Sequence, residues 1–222
     1  KLHDDLLDQG ETSCPNRIAR LTRLAGIKAQ IGYKRRPGSY GGKPSLAVDN
    51  TLDRQFDVAA PDRAWVTDIT YIRTLEGFAY LAVVIDLYSR RVVGWSMQSR
   101  QTTDVVLQAL HMAVWRRKPK QRVLIHSDQG WQYQMTDFRQ RLKGRGIKQS
   151  MSRKGNCLDN AVMENFFGIL KSEFFYTQKF DSVATFITDL KKYIYYYNHD
   201  RIKQKLKGLS PVNYRTQASL AP

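Results

Sequence analysis

Between residues 64 and 98, three runs rich in β-branched and aromatic side chains succeed one another with only short polar breaks: Trp65 to Ile72, Phe78 to Asp86 and Arg91 to Met97. Such side chains suit a pleated, half-buried surface, so the runs predict three consecutive antiparallel strands. From Thr102 the apolar positions change to helical spacing, with Val106, Leu110, Ala113 and Val114 on one face. Val123 to His126 reads as a short buried strand. A helix from about Thr136 to Lys143, a strand over Ile147 to Met151, and longer helices from Asp159 and from Ser182 complete the series. Nearer the start, Ser13 as a capping residue, Pro15, and the apolar Ile18, Leu21 and Leu24 predict a short helix ending at Gly26. Residues 32 to 62 hold glycines, prolines and the run Lys34-Arg35-Arg36 with little periodicity, and read as a linker or extended arm.

Three strands, helix, strand, helix, strand, helix, helix is the order of the ribonuclease-H-like fold: α/β, a mixed five-stranded sheet flanked by helices. The chain divides into a partial N-terminal helix-turn-helix segment (1–36), a linker (37–59), a ribonuclease-H-like core (60–175) and a C-terminal helical extension (176–222). On the first helix Arg17, Arg20 and Arg23 point outward. That suits the second helix of a helix-turn-helix lying on DNA, or equally a solvated basic helix.

Charge narrows the function classes. The 222 residues carry a formal charge of +16, the footprint of a protein that meets nucleic acid or an anionic membrane. No run of about 18 apolar residues and no export leader occurs, and no basic helix has an open apolar face, so a membrane partner is not expected and the cytoplasm, with nucleoid association, is. Cys14 and Cys157 stand far apart without a Cys-x-x-Cys pair, against both a disulfide framework and a zinc finger. Residues 115 to 154 hold twelve Lys or Arg against two Asp. Arg116, Arg117 and Lys118 there fit DNA contact or a solvated face equally; Arg153 and Lys154, in a loop before the Asp159 helix, favour DNA contact.

Inside that basic stretch lies Asp128, after a strand in His126-Ser127-Asp128-Gln129-Gly130. Strand ends of this kind are where active sites of mixed sheets collect. Asp68 lies within the first strand, where a carboxylate is expensive without a partner. Glu164 flanks the apolar face formed by Val162, Phe166, Ile169 and Leu170. Three carboxylates without a thiol make an all-oxygen site suited to Mg²⁺, and two ions would stabilise the attacking and leaving oxygens of a phosphodiester reaction. Water as the nucleophile gives cleavage, and a DNA 3′-hydroxyl gives joining. Asp159 is expected to cap its helix, with Asn160 capping or positioning Glu164. His126 suits support of the site rather than general-base work. Tyr193 and Tyr197 share a packing face with Leu190 and Ile194, which favours core over a base-stacking platform.

These residues resemble the DDE transposases and retroviral integrases, and most closely the insertion-sequence-three group of bacterial transposases. The resemblance rests on Trp65-Val66-Thr67-Asp68-Ile69-Thr70-Tyr71, on Val84-Ile85-Asp86 with Ser89-Arg90 and Val93-Gly94-Trp95, and on His126 to Tyr133. Asp159-Asn160-Ala161, Glu164-Asn165-Phe166, Leu170-Lys171, Glu173, Tyr197-Asn198, Arg201 and Ser210-Pro211 extend it over residues 60 to 215, and 35 residues separate Asp128 from Glu164. It implies Asp68, Asp128 and Glu164 as catalytic metal ligands for Mg²⁺, with Mn²⁺ able to substitute, and a structural role for Asp86. It also implies nicking of double-stranded DNA at element ends, transfer of the 3′-hydroxyl to target DNA, and a homodimer or larger assembly on DNA. Lys171 lies seven residues after Glu164, about 20° away around a helix and about 10 Å along it. It is expected on DNA beside the site, as are Arg153, Lys154 and Asn160. A water-only nuclease of the same fold and a non-catalytic DNA-binding regulator are the rival readings.

Overall fold

The computed structural model describes residues 2–27 and 47–218; the run Lys34-Arg35-Arg36 and the first half of the expected linker lie outside them. The elements are α1 (Leu2–Asp8), α2 (Pro15–Leu24), β1 (Ala64–Thr74), β2 (Gly77–Asp86), β3 (Val92–Gln98), α3 (Thr103–Arg117), β4 (Leu124–Ser127), α4 (Trp131–Gln134), α5 (Thr136–Gly144), β5 (Lys148–Met151), α6 (Ala161–Glu173), α7 (Val183–His199) and α8 (Pro211–Ala218). The strands form one sheet in the order β3-β2-β1-β4-β5. The meander β1-β2-β3 is antiparallel, whereas β4 and β5 run parallel to β1. The mixed five-stranded, ribonuclease-H-like sheet is therefore present as expected.

Two apolar cores sandwich this sheet because strand side chains alternate between its faces. Ala64, Val66 and Ile72 of β1 join Leu81, Val83 and Ile85 of β2 under α6 and α7, with Met163, Phe166, Leu170, Phe186, Leu190 and Tyr197 closing that side. Trp65, Ala82, Val84 and Val93 face the other way, onto Val106, Ala109 and Leu110 of α3, Tyr133 of α4 and Phe138 of α5. Gly94 is needed where β3 passes α3: a Cβ there would lie 2.2 Å from the Ala109 carbonyl oxygen. Tyr193 and Tyr197 are buried, as their helical spacing indicates, while Tyr195 and Tyr196 are exposed.

Two local expectations are corrected. The cap position of α2 is Cys14, not Ser13, with Pro15 in the first turn. Residues 47–59 are not a free linker: Leu52 is buried, and Phe56 and Val58 pack on the α6–α7 side of the core. The linker reading rests on local periodicity, which cannot see where a segment docks. In the C-terminal helical extension, α7 supplies a large share of that same core, in keeping with the packing face expected of Tyr193 and Tyr197. Arg17 and Arg20 are exposed on α2, and the whole helix has no buried residue.

Candidate active site

β1 and β4 run parallel, and Thr67↔Ser127 is their last paired position. Asp68 and Asp128 each follow directly, so the two aspartates emerge side by side where the sheet parts. Even-numbered residues of β1 face α6, which places Asp68 on the side from which Glu164 approaches, in the first turn of that helix. Each aspartate is half-buried and Glu164 is exposed. Asp68 accepts hydrogen bonds from the Ile69 backbone N–H at 2.7 Å and from Asn160 Nδ2 at 3.0 Å. Asp128 accepts from the Gly130 N–H at 2.9 Å.

The electrostatics of the two aspartates are those of acids kept near acids. Burial, then the Asp128 carboxylate, raise Asp68 well above the usual carboxylate range, and Glu164 adds to this, while the Ile69 N–H and Asn160 oppose it. Asp128 is raised as well, by burial, with the Gly130 N–H opposing. Neither is ion-paired among the described residues. The Tyr133 phenol, held at 3.3 Å from the Thr67 hydroxyl, is buried beside them; burial and then the charges of Asp68 and Asp128 push it well up. It stays a neutral wall of the site.

Asp159 does not cap α6. The cap position is Asn160, and no side chain caps that end. The Asp159 carboxylate is instead fully buried among donors: Arg153 through its backbone N–H, Nε and an Nη, Arg54 Nε at 2.8 Å and Asn50 Nδ2 at 3.0 Å. These partners hold it below the usual carboxylate range, Arg153 foremost, against the cost of burial. Arg153, expected on DNA, is thus directed at Asp159, and Asn160, expected on DNA or on Glu164, is directed at Asp68. Lys154 is exposed beside the shallow cavity between residues 47–50 and the Ser152 loop. Lys171 Nζ lies 5.2 Å from the centre of the exposed Tyr71 ring. Of the α3 terminus, Arg116 and Lys118 are exposed while Arg117 is bound to Asp62.

His126 is engaged at both ring nitrogens. Its ring spans Ser150 Oγ at 2.9 Å and the Asp159 carbonyl at 3.0 Å, and burial lowers its pKa. A neutral ring that donates from Nε2 to that carbonyl must accept at Nδ1. Asp86, fully buried, accepts from the Asp62 and Ser89 backbone N–H groups and the Ser89 hydroxyl, the structural role expected for it. Asn50 and Arg54 escaped the sequence reading because their partner is more than a hundred positions away.

A mixed sheet of order β3-β2-β1-β4-β5 between helices, with two aspartates at the ends of its parallel pairing, defines the class: a ribonuclease-H-like core. The integrase core domain family matches at residues 58–157, and a second integrase core domain model matches at 164–218. The putative transposase InsK of insertion sequence element IS150 from Escherichia coli is 44% identical over 200 residues, covering 90% of this chain and 70% of that one. Transposase InsF of IS3fB, also from Escherichia coli, is 40% identical over 218 residues, covering 98% and 76%. An uncharacterized transposase-like protein of Haemophilus influenzae is 41% identical over 202 residues, covering 91% and 93%. The chain belongs to this family of insertion-sequence transposases with an integrase core. At the level of fold it superposes on the simian T-cell lymphotropic virus intasome with a TM-score of 0.64 at 17% identity, covering 90% of this chain and 68% of that one. The HTLV-2 integrase catalytic core domain, solved in complex with magnesium, gives 0.53 at 17% identity, covering 70% and 97%.

Proposed function

We propose that this chain nicks DNA at the ends of a mobile element and joins the freed 3′-hydroxyl to another phosphodiester, with Asp68, Asp128 and Glu164 holding Mg²⁺, for which Mn²⁺ can substitute. The observation that carries this reading is the Asp68–Asp128 pair, adjacent, desolvated, and lacking a cationic partner among the described residues. An all-oxygen donor set under mutual repulsion fits a hard divalent cation. Among the described residues no three His, Cys, Asp or Glu side chains converge tightly enough to hold an ion as they stand. Asp68 and Asp128, fixed by the sheet, are therefore assigned as the rigid part of the ligand set, and exposed Glu164 on α6 as the part that closes.

Divalent ions in this position supply charge stabilisation to the attacking and leaving oxygens. The protein's own share is positional: β1 and β4 fix two carboxylates, Asn160 and the Ile69 N–H orient one of them, and Tyr133 keeps one wall dry. Lys171, Lys154 and, on α2, Arg17 and Arg20 are assigned to DNA phosphates of the element ends and target. The active form is a dimer or larger assembly on DNA in the bacterial cytoplasm, at the nucleoid. No helix of the described residues is long and apolar enough to cross a membrane.

The test is nicking and joining on a branched DNA substrate carrying the element ends, in Mg²⁺ and in Mn²⁺, with the wild-type chain and Glu164→Gln. Joined product that vanishes in the variant while DNA binding persists supports the reading. Cleavage without joining would point to a water-only nuclease, and binding without chemistry in either protein to a regulator.

A further inference from the structure

The geometry points to Asp159 and Asn160 as consecutive positioning residues, through which the docked segment 47–59 sets the direction of the Asp68 carboxylate. This inference rests on the proposed active site. Asn160 and Asp159 occupy one short turn, Cys157–Asn160, but face opposite ways. Asn160, itself buried, gives its Nδ2 to Asp68 Oδ2, and its Oδ1 is buried without a hydrogen-bond partner. A buried carboxamide left half satisfied is costly, so its orientation is imposed from outside, and its unused oxygen is an acceptor beside Asp68.

What imposes it is Asp159, which is tied to residues 47–59 by two independent routes. In the first, the buried Asp159 carboxylate takes Arg54 and Asn50 from the segment and Arg153 from the neighbouring loop. The second runs through the backbone. The Leu52 N–H donates to Ser150 Oγ at 3.1 Å, Ser150 Oγ donates to His126 Nδ1 at 2.9 Å, and His126 Nε2 donates to the Asp159 carbonyl at 3.0 Å. Each atom is used in the only sense left to it, because an oxygen that accepts from a backbone N–H still has its own proton to give. Leu52, buried at 3% exposure, anchors the segment where both routes begin. Releasing residues 47–59 frees Asp159 on both sides and with it the turn that aims Asn160. Groups that hold a ligand rather than bind the ion commonly set affinity or activity by about 10- to 100-fold.

The test compares wild type, Asp159→Asn, Arg54→Ala and Arg54→Lys in the full chain, reading three things. These are the kcat and KM of joining in Mn²⁺, the Mn²⁺ concentration that gives half of the Mn²⁺-induced rise in Tm, and the rate of proteolysis within 47–59. Arg54 is partly exposed, so its removal leaves the fold intact if Asp159→Asn does not. The expected result is a kcat lower by about tenfold, a KM for DNA unchanged, a weaker Mn²⁺ response and faster cleavage within 47–59, with Arg54→Lys restoring part of each. Faster proteolysis with kcat and Mn²⁺ response at wild-type levels overturns the inference, as does a lower Tm as the sole change. Absence of joining and of any Mn²⁺ response in the wild type would instead remove the proposed function on which it rests.

Discussion

Two pairs of aspartates in this chain have been solved in opposite ways by the same fold. Asp159 and Asp62 are enclosed by arginines: Arg153 and Arg54 at the first, Arg117 and Arg215 at the second, and both are held below the usual carboxylate range. Asp68 and Asp128 receive backbone N–H groups and one carboxamide, and are raised. A chain with 36 Lys and Arg against 20 Asp and Glu has cations to spare. Leaving Asp68 and Asp128 without them places two acids side by side with no cation to answer their charge among the described residues. Asp86 shows that a raised pKa alone does not mark such a site, because its burial is answered by three donors and it has no second acid at hand except Asp62, itself satisfied.

The largest expected effect comes from neutralising one member of the cation-free pair. Asp68→Asn should lower joining by about 10³-fold or more, since removing a ligand that focuses divalent charge forfeits several kcal/mol of transition-state stabilisation. The same change should make the metal-free protein more stable, because it removes repulsion. Loss of stability on Asp68→Asn in metal-free buffer would break the comparison, showing that the pair is not strained by its own charge.

A smaller effect should follow from moving Asp128 without altering any charge. A Cβ on Gly130 would lie 2.9 Å from Asp128 Oδ1 and 3.3 Å from Gln132 Oε1, and Gly130 has an ordinary negative φ of −55°. Gly130→Ala therefore disturbs the carboxylate rather than the backbone. Joining should fall by about 10- to 100-fold with little change in Tm, measured side by side on one preparation.

The pairs should also separate on a pH axis. For Asp159 and Asp62, whose folded pKa values are depressed, the stabilisation is present above the ordinary carboxylate value and is lost as pH falls through the folded value. For Asp68 and Asp128 the sign reverses: stabilisation is present below the ordinary value and is lost as pH rises through the raised one. The Tm gain of Asp68→Asn over wild type, without metal, should therefore widen as pH rises above the ordinary carboxylate range, and Mn²⁺ should cancel it by stabilising only the wild type. A gain that is flat with pH would assign the effect to packing.

How much of this was legible in the sequence follows the range of each interaction. The strands and α3 could be read from Trp65, Val84 or Leu110 because alternation and helical spacing are local properties. That Asp68 lies within a strand, Asp128 directly after one and Glu164 on a helix was legible for the same reason. Asp159 was misread as a cap, since an aspartate before a helix ordinarily is one; only tertiary contact with Arg54, 105 positions away, shows otherwise. The docked segment 47–59 was hidden for the same reason, its apolar anchors Leu52, Phe56 and Val58 showing no regular period among polar neighbours. α4 was missed because its four residues are too few to display a period.

The smallest effect concerns Lys171, which lies on the same helix as Glu164. Its Nζ lies over Tyr71, itself edge-on to Phe78. A contact of this kind at a partly exposed site is worth about 0.5–1 kcal/mol, whereas one phosphate contact changes the slope of log K against log salt by about 0.9. The two roles are therefore separable in a single variant. Lys171→Ala should reduce that slope by about one unit with Tm almost unchanged, and Lys171→Arg should keep the wild-type slope. A fall in Tm with the slope intact would mean that Lys171 serves to cover Tyr71, and that DNA is gripped beside the site by other cations, exposed Lys154 first among them.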